Sequence, residues 1–368
     1  MKFVCTQENI SRGLSRITSV AGRNPQLPIL ENALLSLRDG VMHATCTDLE
    51  IGVHTTIPGK VESEGGCTVP ARKLFEYTQQ LPGDNPITLE LRGSRLHVKT
   101  RGWQAQFPTA SEDDFPLLPT PPADGSVEVG GATTCQGLAQ VIFAAARDDT
   151  RPEIHSAYLH GEGKRITIAA TDSFRLAEKH LVLDQDVAQE FTILLPLNTA
   201  QEIVRLFSDT DTLTITPHDN HLTVRGGTTE VSSRLIDGTY PAYQQIIPQS
   251  HATVGMLDRA GMLRALKTLT IFLPRDSRRI TMSLKPSKKM LTLAVAGSDS
   301  GESRVELDFD GTGDDLDILF NVQYLLDGVQ QMTTERVQLK TGGSNDPAVL
   351  SPDDEGQQYT YVVMPIQA

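Results

Sequence analysis

The sequence predicts an α+β chain of three tandem domains, on three observations. Three kinds of landmark recur at steps of roughly 125 residues, three such steps span nearly all 368 residues, and each step holds the same order of segments. A Thr/Ser-Asp pair stands at Thr47-Asp48, Thr171-Asp172 and Ser298-Asp299, steps of 124 and 127 by subtraction. A strand running into a helix places Pro70, Pro196 and Asn321 at steps of 126 and 125. An earlier helix places Leu14, Leu138 and Leu263 at steps of 124 and 125. Solenoid units run to only about 20–50 residues, so these steps are the size of small domains. The expected boundaries are 1–125, 126–249 and 250–368.

Each repeat reads as strand, helix, strands, helix, strands. In the first, alternation gives a strand over 2–5, and apolar periodicity gives a helix over 6–20. Strands follow over 33–37, 41–45 and 52–57, then a helix over 71–81. Strands over 87–91, 96–99 and 105–108 close the unit, with Gly93-Ser94 turning between the first two. The second repeat has helices over 133–147 and 198–207 and a strand pair over 213–216 and 222–225 around Asp219-Asn220. The third has helices over 258–271 and 322–331. Linkers are expected at 119–125 and 249–251. The Gly/Asp/Pro-rich stretch 341–358 reads as a long exposed loop before the last strand.

Composition narrows the function. Apolar and charged contents are those of a globular chain. No run of about 18 apolar residues exists to span a membrane. Met1-Lys2-Phe3-Val4-Cys5 goes straight into an alternating strand and lacks a signal-peptide core, so a cytoplasmic location is expected. Cys5, Cys46, Cys67 and Cys135 stand singly and have no equivalents in the third repeat, which disfavours a shared disulfide or zinc framework. No metal and no cofactor is expected. The pair His218 and His221 sits at a hairpin turn without a third ligand of suitable spacing. Phosphate-loop, nucleophile-elbow and dinucleotide fingerprints are missing. A Thr/Ser-Asp pair present three times is what a turn-forming side chain does, not an active site. These features point away from an enzyme.

The formal net charge of −13 argues by itself against binding a polyanion, so the placement of the 33 basic residues decides the matter. On a wheel of about 100° per residue, Ile10, Leu14, Ile17 and Ala21 share one face of the first helix and Arg12 and Arg16 the other. In the second repeat Leu138, Val141, Ile142 and Ala145 oppose Gln136, Gln140 and Arg147. In the third, Met262, Leu266 and Leu269 oppose Arg264 and Lys267. The second helices are more mixed, with Arg72 and Lys73 beside Glu76 and Arg205 near Glu202. The acidic surplus lies elsewhere, at 62–64, 112–114, 184–186, 308–317 and 353–355. The pattern is one mildly positive surface on a negative body. Screening at physiological salt limits long-range repulsion to about 8 Å.

The same landmarks, taken in order, resemble a known family. Leu27-Pro28-Ile29-Leu30, Thr47-Asp48-Leu49-Glu50, Val69-Pro70-Ala71-Arg72-Lys73-Leu74, Asp114-Phe115-Pro116, Thr150-Arg151-Pro152, Ala170-Thr171-Asp172-Ser173-Phe174-Arg175-Leu176-Ala177, Asp237-Gly238-Thr239-Tyr240-Pro241, Phe320-Asn321-Val322 and Tyr361-Val362-Val363-Met364-Pro365-Ile366 run over the full length. Together they resemble the bacterial DNA polymerase III beta subunit family of sliding clamps. The resemblance implies three DNA-clamp domains, each with two helices packed on antiparallel sheets. Two chains would close head-to-tail into a six-domain ring whose helices line a hole for duplex DNA. It implies a non-catalytic processivity factor of DNA replication, partnered by DNA, a second copy, the clamp loader and DNA polymerases.

Residue by residue, the DNA-facing set would be Arg12, Arg16, Arg23, Arg72, Lys73, Arg147, Arg151, Arg205, Arg264 and Lys267, with Arg275, Arg278 and Arg279 nearby. Such phosphate contacts carry no base information, and retention comes from enclosure. A partner-peptide pocket would use Leu159, Thr171, Phe174, Arg175, Leu176, Pro241, Ile246, Asn321, Tyr324, Val362, Met364, Pro365 and Ile366. The dimer interface would set Arg95, Lys99 and Arg101 against Asp299, Glu302 and Glu306, with Leu269, Ile271 and Phe272 as its apolar part. The chain departs from the family in ending Ile366-Gln367-Ala368 without an Arg. It also carries Ser173 where the family often has Gly before an aromatic residue or His. The rival class is a protein-only scaffold of three repeats.

Overall fold

The computed structural model describes residues 1–22, 27–119, 125–274, 277–298 and 301–367. It divides into two compact units, 1–132 with 205–235 and 133–204 with 236–368. The middle repeat therefore contributes strands to both.

In the first unit, one antiparallel sheet has five strands in the order Lys60–Ser63, Lys2–Cys5, Ile87–Arg92, Arg95–Thr100, Trp103–Pro108. A second has eight, in the order Val127–Gly130, Thr212–His218, His221–Gly226, Thr229–Arg234, Ile51–Ile57, Val41–Thr47, Asn32–Arg38, Gly65–Pro70. The join between repeats is an antiparallel ladder with Val231 opposite Val53. The hairpin at Asp39-Gly40 has positive φ at both residues (51° and 74°), as the tight turn matching strand twist requires.

Two helices cover these sheets. Helix α1 (Gln7–Ile17) starts where the Thr6 hydroxyl accepts from Asn9 N at 3.2 Å, and it buries Ile10, Gly13, Leu14 and Ile17. Gly13 permits close approach, because a Cβ there would lie 2.5 Å from Ile57 Cγ1. Helix α2 (Ala71–Gln79) follows Pro70 directly and packs against α1.

The second unit repeats the plan. Its nine-stranded sheet runs Phe191–Pro196, Ser156–Glu162, Arg165–Thr171, Arg175–Val182, Tyr359–Val363, Ala348–Pro352, Arg336–Thr341, Thr253–Asp258, Asp310–Thr312. Here the repeat join sets Tyr361 opposite Ala177. A four-stranded sheet runs Gly301–Asp308, Met290–Ser298, Arg279–Lys285, Leu316–Asn321. The remaining helices are α3 (Gly131–Ile142), α4 (Leu197–Phe207), α5 (Arg259–Thr270) and α6 (Val322–Gln331). Asp258 caps α5 through Gly261 N, Asn321 caps α6 through Gln323 N, and α5 packs on α6.

Three expectations change. The stretch 341–358 is not one exposed loop. Ala348–Pro352 is a strand between two others, with Ala348 and Leu350 fully buried. Its short apolar run is hidden by Gly, Asp and Pro on both sides, and only pairing with both neighbours buries it. The first helix ends at Ile17, not 20, and the third at Ile142, not 147. At the start of α5 it is Met262 that is fully buried, with Leu263 only half-buried, so the buried repeat runs Leu14, Leu138, Met262 at equal steps of 124 by subtraction.

Candidate functional site

The Thr-Asp turn is built identically in the first two repeats. Thr171 Oγ1 donates to Arg175 O at 2.7 Å and accepts from Ser173 N at 3.1 Å. Asp172 Oδ1 accepts from Phe174 N and Arg175 N, both at 3.0 Å. In the first repeat Thr47 Oγ1 donates to Ile51 O at 2.9 Å and accepts from Leu49 N at 3.0 Å, while Asp48 Oδ1 accepts from Glu50 N and Ile51 N at 3.0 and 2.9 Å. The third residue is left-handed in both, Ser173 at φ 77° and Leu49 at φ 80°. The turns are therefore held by side chains, as the sequence reading expected of a recurrent Asp. Asp299 of the third copy lies outside the described residues.

The second-repeat turn is extended into a site. Arg175 is buried, its Nε 3.0 Å from Asp172 Oδ2 and its Nη1 2.6 Å from Asp327 Oδ2, with Nη2 donating to Phe143 O at 2.9 Å. Its guanidinium also stands 4.6 Å from the Tyr324 ring centre and 5.4 Å from that of Phe143. The turn and helix α6 are thereby bound to each other by a cation whose three nitrogens all donate hydrogen bonds. Burial pushes the Tyr324 and Tyr361 phenols up, so both stay neutral, and Tyr361 donates to Tyr324 O at 2.8 Å.

Above this base opens a cleft of about 520 Å³ lined by Ser173, Phe174, Asn321, Tyr324, Met364, Pro365, Ile366 and Gln367. Phe174 is 60% exposed, and Met364 is fixed by its N–H to Phe174 O at 2.9 Å. An aromatic, a flexible thioether and a few polar groups in a concavity suit apolar side chains of a peptide.

Six of the thirteen pocket residues read from the sequence thus meet at one cleft: Phe174, Asn321, Tyr324, Met364, Pro365 and Ile366. Leu159, Thr171, Arg175, Leu176 and Val362 lie buried, with Leu176 and Val362 in a core that includes Tyr240 and Tyr243. Pro241 and Ile246 are exposed and do not line this cleft. The expected pocket set left out Ser173 and Gln367, which the sequence had marked only as departures from the family and which the structure places in the lining. Sequence reasoning also missed Asp327 and Phe143 as partners of Arg175, since nothing local announces a contact spanning 152 residues.

The basic set divides in two. Lys73, Arg147, Arg264 and Lys267 are exposed on or just beyond their helices. Arg12 is exposed beside Glu8 at 3.4 Å and Asn9 Oδ1 at 3.3 Å, and Arg151 donates to Ser173 Oγ at 3.3 Å. The others are engaged around the C-terminal end of α1. Arg205 donates to Ser15 O, Arg16 O and Ser19 Oγ at 3.3, 2.7 and 2.8 Å, and Arg72 to Ala21 O at 3.2 Å. Arg16 donates to Thr228 and Thr229 hydroxyls at 3.2 and 3.0 Å. The Arg205 contacts satisfy free carbonyls at a helix end. Arg23 and Arg275 lie outside the described residues; Arg278 and Arg279 are exposed, Arg278 donating to Gln323 Oε1 at 3.4 Å.

The interface set sits at two open sheet edges. Arg95 and Lys99 are on the strand next to the edge strand Trp103–Pro108, Arg101 is exposed in the turn between them, and Trp103 is exposed. Glu302 and Glu306 project from the edge strand Gly301–Asp308, Glu306 pairing with Arg304 at 2.9 Å. Ile271 is 75% exposed and Phe272 half-buried. Leu269 is 0% exposed and belongs to the α5 core, so it cannot serve as interface surface; it shares the buried stripe with Met262 and Leu266.

The four cysteines are buried free thiols, and burial pushes Cys5 up to about 12 and Cys67 and Cys135 to about 11. His218 lies 3.3 Å from Asp219 at an exposed hairpin, and among the described residues no cluster of three His, Cys, Asp or Glu could hold a metal. No helix among them is long and apolar enough to cross a membrane.

Comparison with known proteins settles the lineage. Family models for the DNA polymerase III beta subunit match in order: the N-terminal domain over residues 1–119, the central domain over 130–242 and the C-terminal domain over 244–367. The beta sliding clamp of Synechococcus elongatus is 30% identical over 376 residues, covering 100% of this chain and 99% of that one. That of Pseudomonas putida is 27% identical over 373 residues, covering both chains fully. The sliding clamp of Pseudomonas aeruginosa, solved bound to griselimycin, superposes with a TM-score of 0.95 at 26% identity, again over 100% of both chains. With three consecutive family domains and, among the described residues, six α-helices packed with antiparallel sheets, this chain belongs to the DNA polymerase III beta subunit family.

Proposed function

We infer that the chain is a DNA sliding clamp, a non-catalytic processivity factor. As a head-to-tail homodimeric ring it encircles duplex DNA and tethers the replicative polymerase and other partners. The observation that carries this reading is the match of three clamp-domain models, in order, over nearly the whole chain. The repeats are taken as 1–125, 126–249 and 250–368, and the protein as cytoplasmic.

The charge pattern supports enclosure over tight binding. With −13 overall, the chain holds a polyanion by topology, and a few cations on helix faces suffice to let it translate without reading bases. The exposed Arg12, Lys73, Arg147, Arg264 and Lys267 are the phosphate-facing groups in this reading. Arg16, Arg72 and Arg205 hold the end of α1 and contribute charge from there. The Phe174 cleft docks a short apolar segment of clamp loader and polymerase. The griselimycin-bound neighbour supports a ligand-taking surface on this fold. Two edge strands, one rich in basic and one in acidic neighbours, suit pairing between copies.

The decisive experiment is topological. Loaded on nicked circular DNA, the clamp stays bound, and it is released when that DNA is linearised. A scaffold ignores both forms, and equal retention on linear DNA would rule out encirclement. Reversing charge at Lys99 and Arg101 lowers the mass seen by light scattering at dilute concentration; an unchanged mass counts against the dimer surface.

A further inference from the structure

We propose that the join of the first and second repeats carries a second docking groove, at Leu49, Gly52, Leu118, His221, Ser232 and Arg234, which takes one aliphatic side chain of an extended partner segment. The inference rests on reading the Phe174 cleft as a peptide site.

The frame is the same as in that cleft. Arg234 N donates to Glu50 O at 2.9 Å just as Met364 N donates to Phe174 O at 2.9 Å, on top of the shared turn hydrogen bonds. Both grooves lie where a strand of the following repeat meets the turn strand. Where the first and second repeats join, the space is about 200 Å³, floored by Gly52 and walled by Leu118, whose Cδ2 comes within 2.4 Å of where a Gly52 Cβ would be. A dry cavity of about 150 Å³ accepts benzene, so this one accepts a single leucine-sized group.

Two independent features point to an occupant. Ser232 is buried, lines the groove, and its hydroxyl has no hydrogen-bond partner among the described residues. Such an orphaned group calls for a polar partner, which the backbone of an extended segment supplies. Leu49 is held left-handed at φ 80°, a conformation that disfavours a branched side chain, yet it remains 49% exposed at the rim. Strain without burial in return is a mark of a functional position. Leu117, 96% exposed, completes an apolar lip. Ser232, Ser233, Arg234 and Glu50 replace Val362, Val363, Met364 and Phe174, so the groove is more polar and binds more weakly.

The test is calorimetric titration of the full chain with a synthetic octapeptide, polar except for one leucine and one phenylalanine. Two sites per chain are expected, the second weaker by tenfold or more. Met364→Asp removes the strong site and leaves the weak one. Leu49→Gly removes the weak site without lowering the unfolding midpoint, because glycine accepts the left-handed backbone. Leu117→Ser, at a position too exposed to affect folding, weakens the second site as well. A single site abolished by Met364→Asp overturns the second groove and leaves the first intact. A weak site indifferent to both Leu49→Gly and Leu117→Ser overturns it too. No binding at either site overturns the peptide reading along with it.

Discussion

The turns Thr47–Ile51 and Thr171–Arg175 share a hydrogen-bond pattern and differ in what they carry. Each uses a Thr hydroxyl and an Asp carboxylate to close the same loop, and each hands its strand to one from the next repeat. Yet position 175 holds an arginine locked between two aspartates, and position 51 a plain isoleucine. Around the first stand Phe174, Tyr324 and Met364, around the second Glu50, Ser232 and Arg234. A repeated backbone device is thus a neutral platform. The chemistry of the site comes from the side chains set upon it.

The sharpest way to break this contrast is Arg175→Met. It leaves Asp172 and Asp327 without their cation, and removing one partner of a buried pair costs about 3–5 kcal/mol. Ile51→Met at the matching position conserves volume and costs less than about 1.5 kcal/mol. Urea unfolding of both variants checks the difference, and Asp327→Asn added to Arg175→Met recovers part of the loss. Similar costs at the two positions would mean that the arginine is not what distinguishes the turns.

Next in size come Thr47→Val and Thr171→Val. Each strands an N–H and takes one of two hydrogen bonds from a carbonyl, costing about 1–3 kcal/mol by the same measurement. The losses should match within about 0.5 kcal/mol if the platform is shared. A smaller effect, below about 1 kcal/mol, is expected for Asp48→Asn, because the amide oxygen still accepts from Glu50 and Ile51. Asp172→Asn costs more, since that carboxylate also pairs with Arg175.

The least effect, and the finest discrimination, is in acid. Three residues beyond 51 and 175, His54 and Glu178 occupy matching positions. Burial, and then neighbouring His43, lower the His54 pKa from 6.5 against an opposing pull from Glu230. A histidine lowered in the fold contributes stability above 6.5 that is lost as pH falls through that value toward the folded one. Burial pulls Glu178 up, but His180 at 3.2 Å helps hold it below its ordinary 4.5. Its contribution is present above 4.5 and lost only as pH falls below. Amide-exchange protection in Ile51–Ile57 is therefore expected to weaken at a higher pH than in Arg175–Val182. Simultaneous onset would show that these two side chains do not set acid sensitivity.

The grip on α1 shows how much of the basic surface was legible. The wheel separated Arg12 and Arg16 from the apolar stripe correctly, because a helix face follows from spacing alone. It could not tell that Arg205, some 190 residues away, caps the carbonyls of that helix. Phe174 and Met364 were expected as site residues through family resemblance, and the structure brings them to one cleft. Leu269 was assigned to a surface for which its own helical stripe already disqualified it. The strand Ala348–Pro352 was lost because its apolar run is short and its flanks are typical of turns.

By itself the sequence determined the step of roughly 125, the Thr-Asp turns, the helix faces and the family, since each depends on residues a few positions apart or on ordered motifs. Only the tertiary structure decided that the middle repeat gives its strands to both units, that Arg175 is neutralised by Asp172 and Asp327, and which arginines are tied to α1. The physical reason is range. Val231 pairs with Val53 across 178 residues by subtraction, and such contacts follow from burial and hydrogen-bond satisfaction in the folded whole, which no local pattern encodes.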